Sequence, residues 1–205
     1  DILVGTQMIV KGHDFPNVTL VGVLAADLSL NAGDYRSSER TFQLVTQAAG
    51  RAGRGTRPGI AVIQTYQPDH FSILAAKDQD YGAFYEEEIL YRRLMRYPPV
   101  WNMLHILAAS ENPDEAAACM DQIAAWIREE LKKAGSGQTW ADFQLIGPAD
   151  AAVAKIKDVY RRVLYLKHQD YRILVKVKDF LEKRLKNTRN WKKVSIQFDF
   201  NPMNS

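Results

Sequence analysis

The stretch QLVTQAAGRAGRG (Gln43–Gly55) continues a helical pattern that begins near Ser38 and then breaks it with Gly50-Arg51-Ala52-Gly53-Arg54. A helix interior disfavours Gly by about 1 kcal/mol relative to Ala, so helix propensity does not account for two of them. Glycines let a backbone approach another group closely, and arginines three apart on a helix point the same way. Two guanidiniums beside bare backbone suit a polyphosphate, which Arg grips bidentately. The same arginines could instead close the helix C-terminus against its dipole.

The flanking segments set this helix in a layered fold. Ile2-Leu3-Val4 reads as a short buried strand ending at Gly5. Val18–Ala25 reads as a second strand, Ser37 or Ser38 as the cap of the helix, and Ile60–Tyr66 as a third strand. Strand, helix and strand without hairpin signals predict a parallel α/β layer, half of a RecA-like lobe. Thr6 and Gln7 then fall past a strand's carboxyl end, where α/β sheets present functional groups. Asp14 suits a ribose hydroxyl or an arginine.

Three strings carry a family resemblance. Gln47–Arg54 is similar to motif VI (QxxGRxGR) of superfamily 2 helicases, TQMIVKGHDF (Thr6–Phe15) to their motif V, and DYRSSER (Asp34–Arg40) to the linking pattern of one branch. Together they resemble the PriA family of bacterial replication-restart helicases, over nearly the whole chain. The resemblance implies an ATP-dependent 3′-to-5′ DNA helicase acting in primosome assembly at stalled forks. It places Thr6 and Gln7 on the translocating strand, and Lys11, Gly12, Asp14 and Gly50 near the nucleotide. Gln47, Arg51 and Arg54 join the catalytic set, with Arg54 as the arginine finger. Arg36, Glu39 and Arg40 are either coupling residues or a salt-bridged helix start. ATP and Mg²⁺ are the implied cofactors. The zinc expected in the family has no ligands in this chain, and no metal site is assigned.

No G-x-x-x-x-G-K-[ST] loop occurs, so the phosphate-cradling lobe is not in this sequence. The chain starts on Asp1 rather than Met and is expected to be a piece of a longer protein, inactive by itself as an ATPase. No run approaches the roughly 18 apolar residues of a membrane span, so a membrane partner is not expected. A single cysteine, Cys119, excludes an internal disulfide, sits on an apolar helix face as core packing, and points to a cytoplasmic protein.

Charge divides the chain. Residues 1–150 hold 13 Lys+Arg against 19 Asp+Glu, whereas residues 151–205 hold 14 against 5. The basic end suits nucleic acid or an anionic peptide. Expected domains are 1–76 (the lobe), 77–97 (a bridging helix, read over Ala76–Tyr97) and 98–205. The last reads as strand Met103–Ala109, a helix capped at Asn112, strands Phe143–Ile146 and Arg162–Leu166, helix Ile173–Leu185 and strand Val194–Phe198. This βαββαβ order predicts an α+β, split βαβ, ferredoxin-like domain. By resemblance, Gly147, Pro148, Ala149, Lys155, Arg161 and Arg162 match a signature of the family's C-terminal domain.

Lys155, Tyr160, Arg161 and Arg162 make a candidate surface for single-stranded or forked DNA, with backbone charge neutralised and a base stacked on the ring. A basic edge strand protected against aggregation would look similar. Arg172, Lys176 and Lys178 could take the acidic tail of the single-stranded-DNA-binding protein, a partner the resemblance implies along with other primosome proteins. Tyr85, Arg92 and Arg93 read as a solvated face, His70, His105 and His168 as structural or surface residues, and Trp101, Trp140 and Trp191 as anchors. Two other readings stay open: another superfamily 2 helicase with an unrelated tail, and a non-catalytic nucleic-acid or protein-binding module.

Overall fold

A computed structural model describes residues 2–6, 17–54, 56–134 and 142–203, with the backbone alone for Ala134 and Arg189. Gln7, Lys11, Gly12, Asp14 and Trp140 lie outside the described residues. The chain divides into two compact units, residues 1–91 and 92–205.

In the first unit β1 (Leu20–Val23) pairs in parallel with β2 (Ile60–Ile63), Leu20 opposite Ile60. Between them run α1 (Asp27–Leu30) and α2 (Ser37–Ala49), and α3 (Phe71–Asp78) follows. Phe42, Val45, Ile73, Ala76 and Phe84 form the core, with the Phe42 and Phe84 rings stacked at 4.3 Å. Ile2-Leu3-Val4, expected as a buried strand, is not a strand, and Ile2 is 91% exposed. An apolar run becomes a strand only when a neighbour supplies ladder hydrogen bonds, and neither β1 nor β2 pairs with it.

The expected helix Ala76–Tyr97 is two helices. Gln79 takes a left-handed conformation (φ 53°) that ends α3, and the Asp80 carboxylate accepts from Ala83 N (2.9 Å) to start α4 (Tyr81–Leu94). His70 caps α3: its Nδ1 accepts from Ser72 N at 3.3 Å. Burial holds the imidazole pKa below its ordinary value, outweighing the attraction of Asp27.

The glycines of the 50–55 string meet the chain itself. α2 ends at Ala49, so Arg51 and Arg54 lie beyond the helix rather than three apart along it, which corrects the helical geometry expected of them. Gly53 has φ +76° and donates its N–H to Val18 O (2.9 Å), and a Cβ there would lie 2.8 Å from Gly59 N. A Cβ on Gly59 would lie 2.1 Å from Gly53 N. Two glycine backbones in contact thus tie the loop after α2 to the entry of β2.

The second unit is a four-stranded antiparallel sheet in the order β4-β5-β3-β6: β3 (Asn102–Ser110), β4 (Gln144–Ile156), β5 (Val159–His168) and β6 (Ser195–Phe200). α5 (Pro113–Ala134) joins β3 to β4, and α6 (Tyr171–Asn187) with a short 3-10 turn (Arg189–Trp191) joins β5 to β6. This is the strand order of the expected split βαβ arrangement. Leu104, Ile106 and Ala108 on β3 and Leu164 and Leu166 on β5 share one face by the two-residue period. They pack with Met120, Ile123 and Leu174 from the helices, all fully buried. Cys119 lies in the same core, where burial pushes its thiol to about 12. Asn112 is the cap of α5, its Oδ1 accepting from Asp114 N at 2.9 Å.

Gly147-Pro148, expected to break the second strand, lies inside β4, which runs to Ile156 with register shifts at Ile146/Ala149 and Asp150/Lys155. β4 is an edge strand, where a proline forfeits no ladder bond, and Gly147 (φ +102°) accommodates the irregularity. The strand expected over Arg162–Leu166 likewise extends to Val159–His168.

Cations fix the segment leading into β3. Arg92, expected on a solvated face, is buried, and its Nη1 donates to Pro98 O (3.0 Å). Arg96 lies over the Trp101 ring. Buried Lys167 donates to Met95 O (3.1 Å) and sits 3.5 Å from the Tyr97 ring centroid. Desolvation, with Arg96 nearby, brings its pKa down to about 8.

Two outcomes are expected. Gly53→Ala should lower stability by at least about 1 kcal/mol, because Ala cannot take this φ without strain. Gly22→Ala, with no atom within 4 Å of the added Cβ, should stay near neutral in the same urea titration followed by circular dichroism. The His70 pKa is lowered in the folded state, so its contribution is present above about pH 6.5 and lost as pH falls through the folded value. His70→Asn keeps a cap acceptor without titrating and should flatten that part of the stability–pH curve.

Candidate functional site

The residues singled out in the first unit fall at two ends of one helix. At the start of α2, buried Asp34 accepts from Arg36 N (2.9 Å) and pairs with Arg40. The Ser37 hydroxyl donates to Asp34 O (2.6 Å) and Arg36 Nε to the Tyr35 hydroxyl (2.9 Å). Of the two readings of this string, the structure contains the salt-bridged helix start, in which the Asp34 carboxylate accepts the Arg36 N–H and the Ser37 hydroxyl accepts the Asp34 N–H at 3.4 Å. Glu39 receives Gln43 Nε2 at 3.3 Å.

At the other end, Gln47 and Arg54 are exposed and Arg51 is half-buried. Arg54 Nε donates to Gly50 O at 2.9 Å, which places a guanidinium on the carbonyl end of α2. The 13 residues of α2 put about 20 Å between this group and Asp34–Arg40, so the two motifs are not one site. Thr6 is exposed and outside any strand.

One residue that the sequence reading passed over is Asp27, past the end of β1. Its carboxylate takes the Thr65 hydroxyl, Tyr66 N (2.8 Å) and Gln67 N (3.2 Å). The Thr65 bond, then the Tyr66 bond, hold it below the ordinary carboxylate range. It ties the exits of β1 and β2. An acid directly after one apolar run and a Thr after the next was the available signal.

In the second unit Lys155 and Tyr160 are cross-strand partners on the β4–β5 hairpin, with the ammonium 5.0 Å from the ring centroid. Lys155 also pairs with Asp158 (2.8 Å), which raises its pKa first, before Tyr160. The turn is Lys157-Asp158, both at positive φ, so the basic string forms the hairpin tip and not only the entry to a strand. Arg161 and Arg162 alternate to opposite faces of β5. Arg162 pairs with Asp150 (2.6 Å), while Arg161 Nη1 reaches Val153 O (3.4 Å). The hairpin therefore gathers Lys155, Tyr160 and Arg162, and turns Arg161 away.

Arg172 closes on Asp170 through Nε and Nη2, and that ion pair with the Arg172 N–H brings the Asp170 pKa to about 2. Lys178 is held by Asp179 and Glu182. Lys176 is exposed at the mouth of a cleft of about 130 Å³ between α5 and α6, lined by Ile127, Leu131, Val177 and Phe180. Among the described residues no group of three or more His, Cys, Asp or Glu is placed to hold a metal ion, and no helix is long and apolar enough to cross a membrane.

Relatives match most of the chain's length. The replication restart protein PriA of Bacillus subtilis is 44% identical over 203 residues, covering 98% of this chain and 24% of that protein. The PriA of Synechocystis is 40% identical over 171 residues, 83% of this chain and 20% of the relative. That of Chlamydia pneumoniae is 34% identical over 203 residues, 99% and 26%. The chain thus spans about a quarter of the length of the curated relatives it matches. A family model described as the primosomal protein N C-terminal domain matches residues 93–203, the second unit almost whole. With the helicase-like strings of the first unit and the split βαβ order of the second on the same chain, the protein belongs to the PriA family of replication restart proteins, of which it carries the C-terminal part.

Proposed function

We propose that this chain is part of an ATP-dependent 3′-to-5′ DNA helicase that restarts replication at stalled forks. Its first unit would be part of the second RecA-like motor lobe, and its second unit a DNA- and partner-binding domain. The observation that carries this reading is the QxxGRxGR string at the end of the helix between two parallel strands, in a chain whose second unit matches the PriA C-terminal family. The exposed apolar residues of the parallel pair, Leu20 and Ile60 among them, support it. Parallel sheets are normally covered on both faces, so further elements of a longer protein would lie over them.

The residues present fit part of a nucleotide site. An exposed arginine beside a glycine backbone suits a γ-phosphate, whereas the phosphate-cradling loop is not in the sequence. Arg54 would stabilise charge on the transferring phosphoryl group, with Arg51 and Gln47 beside it and Lys11, Gly12, Asp14 and Gly50 toward the nucleotide. ATP with Mg²⁺ supplies the phosphoanhydride whose hydrolysis drives movement. Thr6 and Gln7 would follow the translocating strand. Lys155, Tyr160, Arg161 and Arg162 would contact single-stranded or forked DNA. Lys176, with Arg172, would meet the acidic tail of a single-stranded-DNA-binding protein. The bond from Arg54 to Gly50 O favours a second reading, in which the arginine only closes α2 and the chain is a binding module.

Arg54→Ala in the longer protein separates the two. A motor should lose about 10³-fold or more in DNA-stimulated ATP hydrolysis while still binding DNA. A binding module would be indifferent. The 205-residue chain alone should bind labelled DNA and show no ATP turnover, and measurable turnover would sink the motor reading as stated. Changing Lys155, Arg161 and Arg162 together to Ala should weaken DNA binding and flatten its salt dependence.

A further inference from the structure

Cations of the second unit differ in whether a carboxylate engages them. Arg162, Arg172 and Lys178 are engaged by Asp150, by Asp170, and by Asp179 with Glu182. Lys157, Lys192 and Lys193 are exposed and form no ion pair among the described residues. They are far apart in sequence: Lys157 is in the β4–β5 turn, while Lys192 and Lys193 follow the 3-10 turn after α6.

The sheet brings them to one end. There β3 finishes at Ser110 and β4 at Ile156, and β5 starts at Val159 and β6 at Ser195. The register fixes this, since Ala109 faces both Arg161 and Ser195, and Ser110 faces Tyr160. A cleft of about 570 Å³ opens at that end, with Val159 from the hairpin and Lys193 from the α6–β6 connection both in its wall. Ser110, Asn112 and Ser195 supply hydroxyl and amide groups along it, and Glu111 and Glu115 stand on the α5 side.

We propose that this end of the sheet is a track for the phosphate backbone of a single nucleic-acid strand, with Lys157 on one bank and Lys192 and Lys193 on the other. The proposal rests on the reading of the second unit as a DNA-binding domain and extends it to residues beyond the hairpin string. Unengaged ammonium groups are point charges that neutralise phosphate at little cost in broken ion pairs. Hydroxyls and amides in the wall suit sugar and phosphate oxygens. Glu111 and Glu115 repel phosphate on the α5 side of the cleft, which favours the backbone at the Lys193 wall. A cleft of this size takes one strand. A duplex, with a major groove alone about 12 Å wide, would have to lie outside it.

Anisotropy of a labelled oligothymidylate with this chain tests the track. Changing Lys192→Glu and Lys193→Glu together should weaken binding tenfold or more. It should also reduce the slope of log affinity on log salt by about 1.4, two single-strand phosphate contacts at about 0.7 each. Lys132→Glu with Lys183→Glu, which adds the same charge on α5 and α6, should bind as the parent does. Circular dichroism and urea midpoints equal to the parent's establish that the variants are folded. If the first pair binds like the parent, or the control pair loses as much, the track is overturned while the DNA-binding reading stands. If the parent itself does not bind the oligonucleotide, both fall. If an oligoglutamate peptide binds at Lys192 and Lys193 and the oligonucleotide does not, this end of the sheet docks an acidic segment and the proposal is overturned.

Discussion

The second unit depends on one strand. β3 is paired on both sides, with β5 and β6, and Leu104, Ile106 and Ala108 on one face are fully buried. That face fixes where α5 and α6 lie, because Met120, Ile123 and Leu174 fill the space above it. A strand so enclosed cannot slip by one residue without turning its whole buried set outward. The other face is closed at one end by Met103 and Lys167, which is why a lysine is buried there. Its ammonium is satisfied by a carbonyl and an aromatic ring of the segment that enters the strand.

The same constraint decides where chemistry can appear. With one face given to the helices, the exposed positions of the sheet are its ends and its two edge strands, β4 and β6. The hairpin tip and the α6–β6 connection are the two places where cations leave the sheet at the same end. In the first unit the limiting fact is different. The two parallel strands among its described residues are too few to enclose a core from both sides, and the buried residues come largely from α2, α3 and Phe84. Large apolar side chains of both strands are left exposed.

Much of the second unit was legible because its signals are local. Asn112-Pro113-Asp114-Glu115 announces a helix start by capping chemistry alone, and the helix periodicity places Cys119, Ile123 and Ile127 inward. The errors share a cause. Gly147-Pro148 reads as a break unless β4 is known to be an edge strand. Ile2-Leu3-Val4 reads as a strand unless its pairing partners are known to be elsewhere. Arg92 reads as solvated because nothing near it in sequence announces the Pro98 carbonyl that receives it. The glycines of the 50–54 string read as letting the backbone approach another group, and for Gly53 that group includes Gly59 of the same chain.

The sequence by itself determined the layer type of each unit, the order of elements in the second unit, the Asn112 cap and the family strings, all of which rest on periodicity and on residues adjacent in the chain. Tertiary structure alone decided which cations are engaged and which are open, that the two ends of α2 are separate places, and that Lys157, Lys192 and Lys193 lie at one end of the sheet. The reason is physical. Propensity and patterning act over a few residues, whereas ion pairing and strand register depend on distances that only the folded backbone sets.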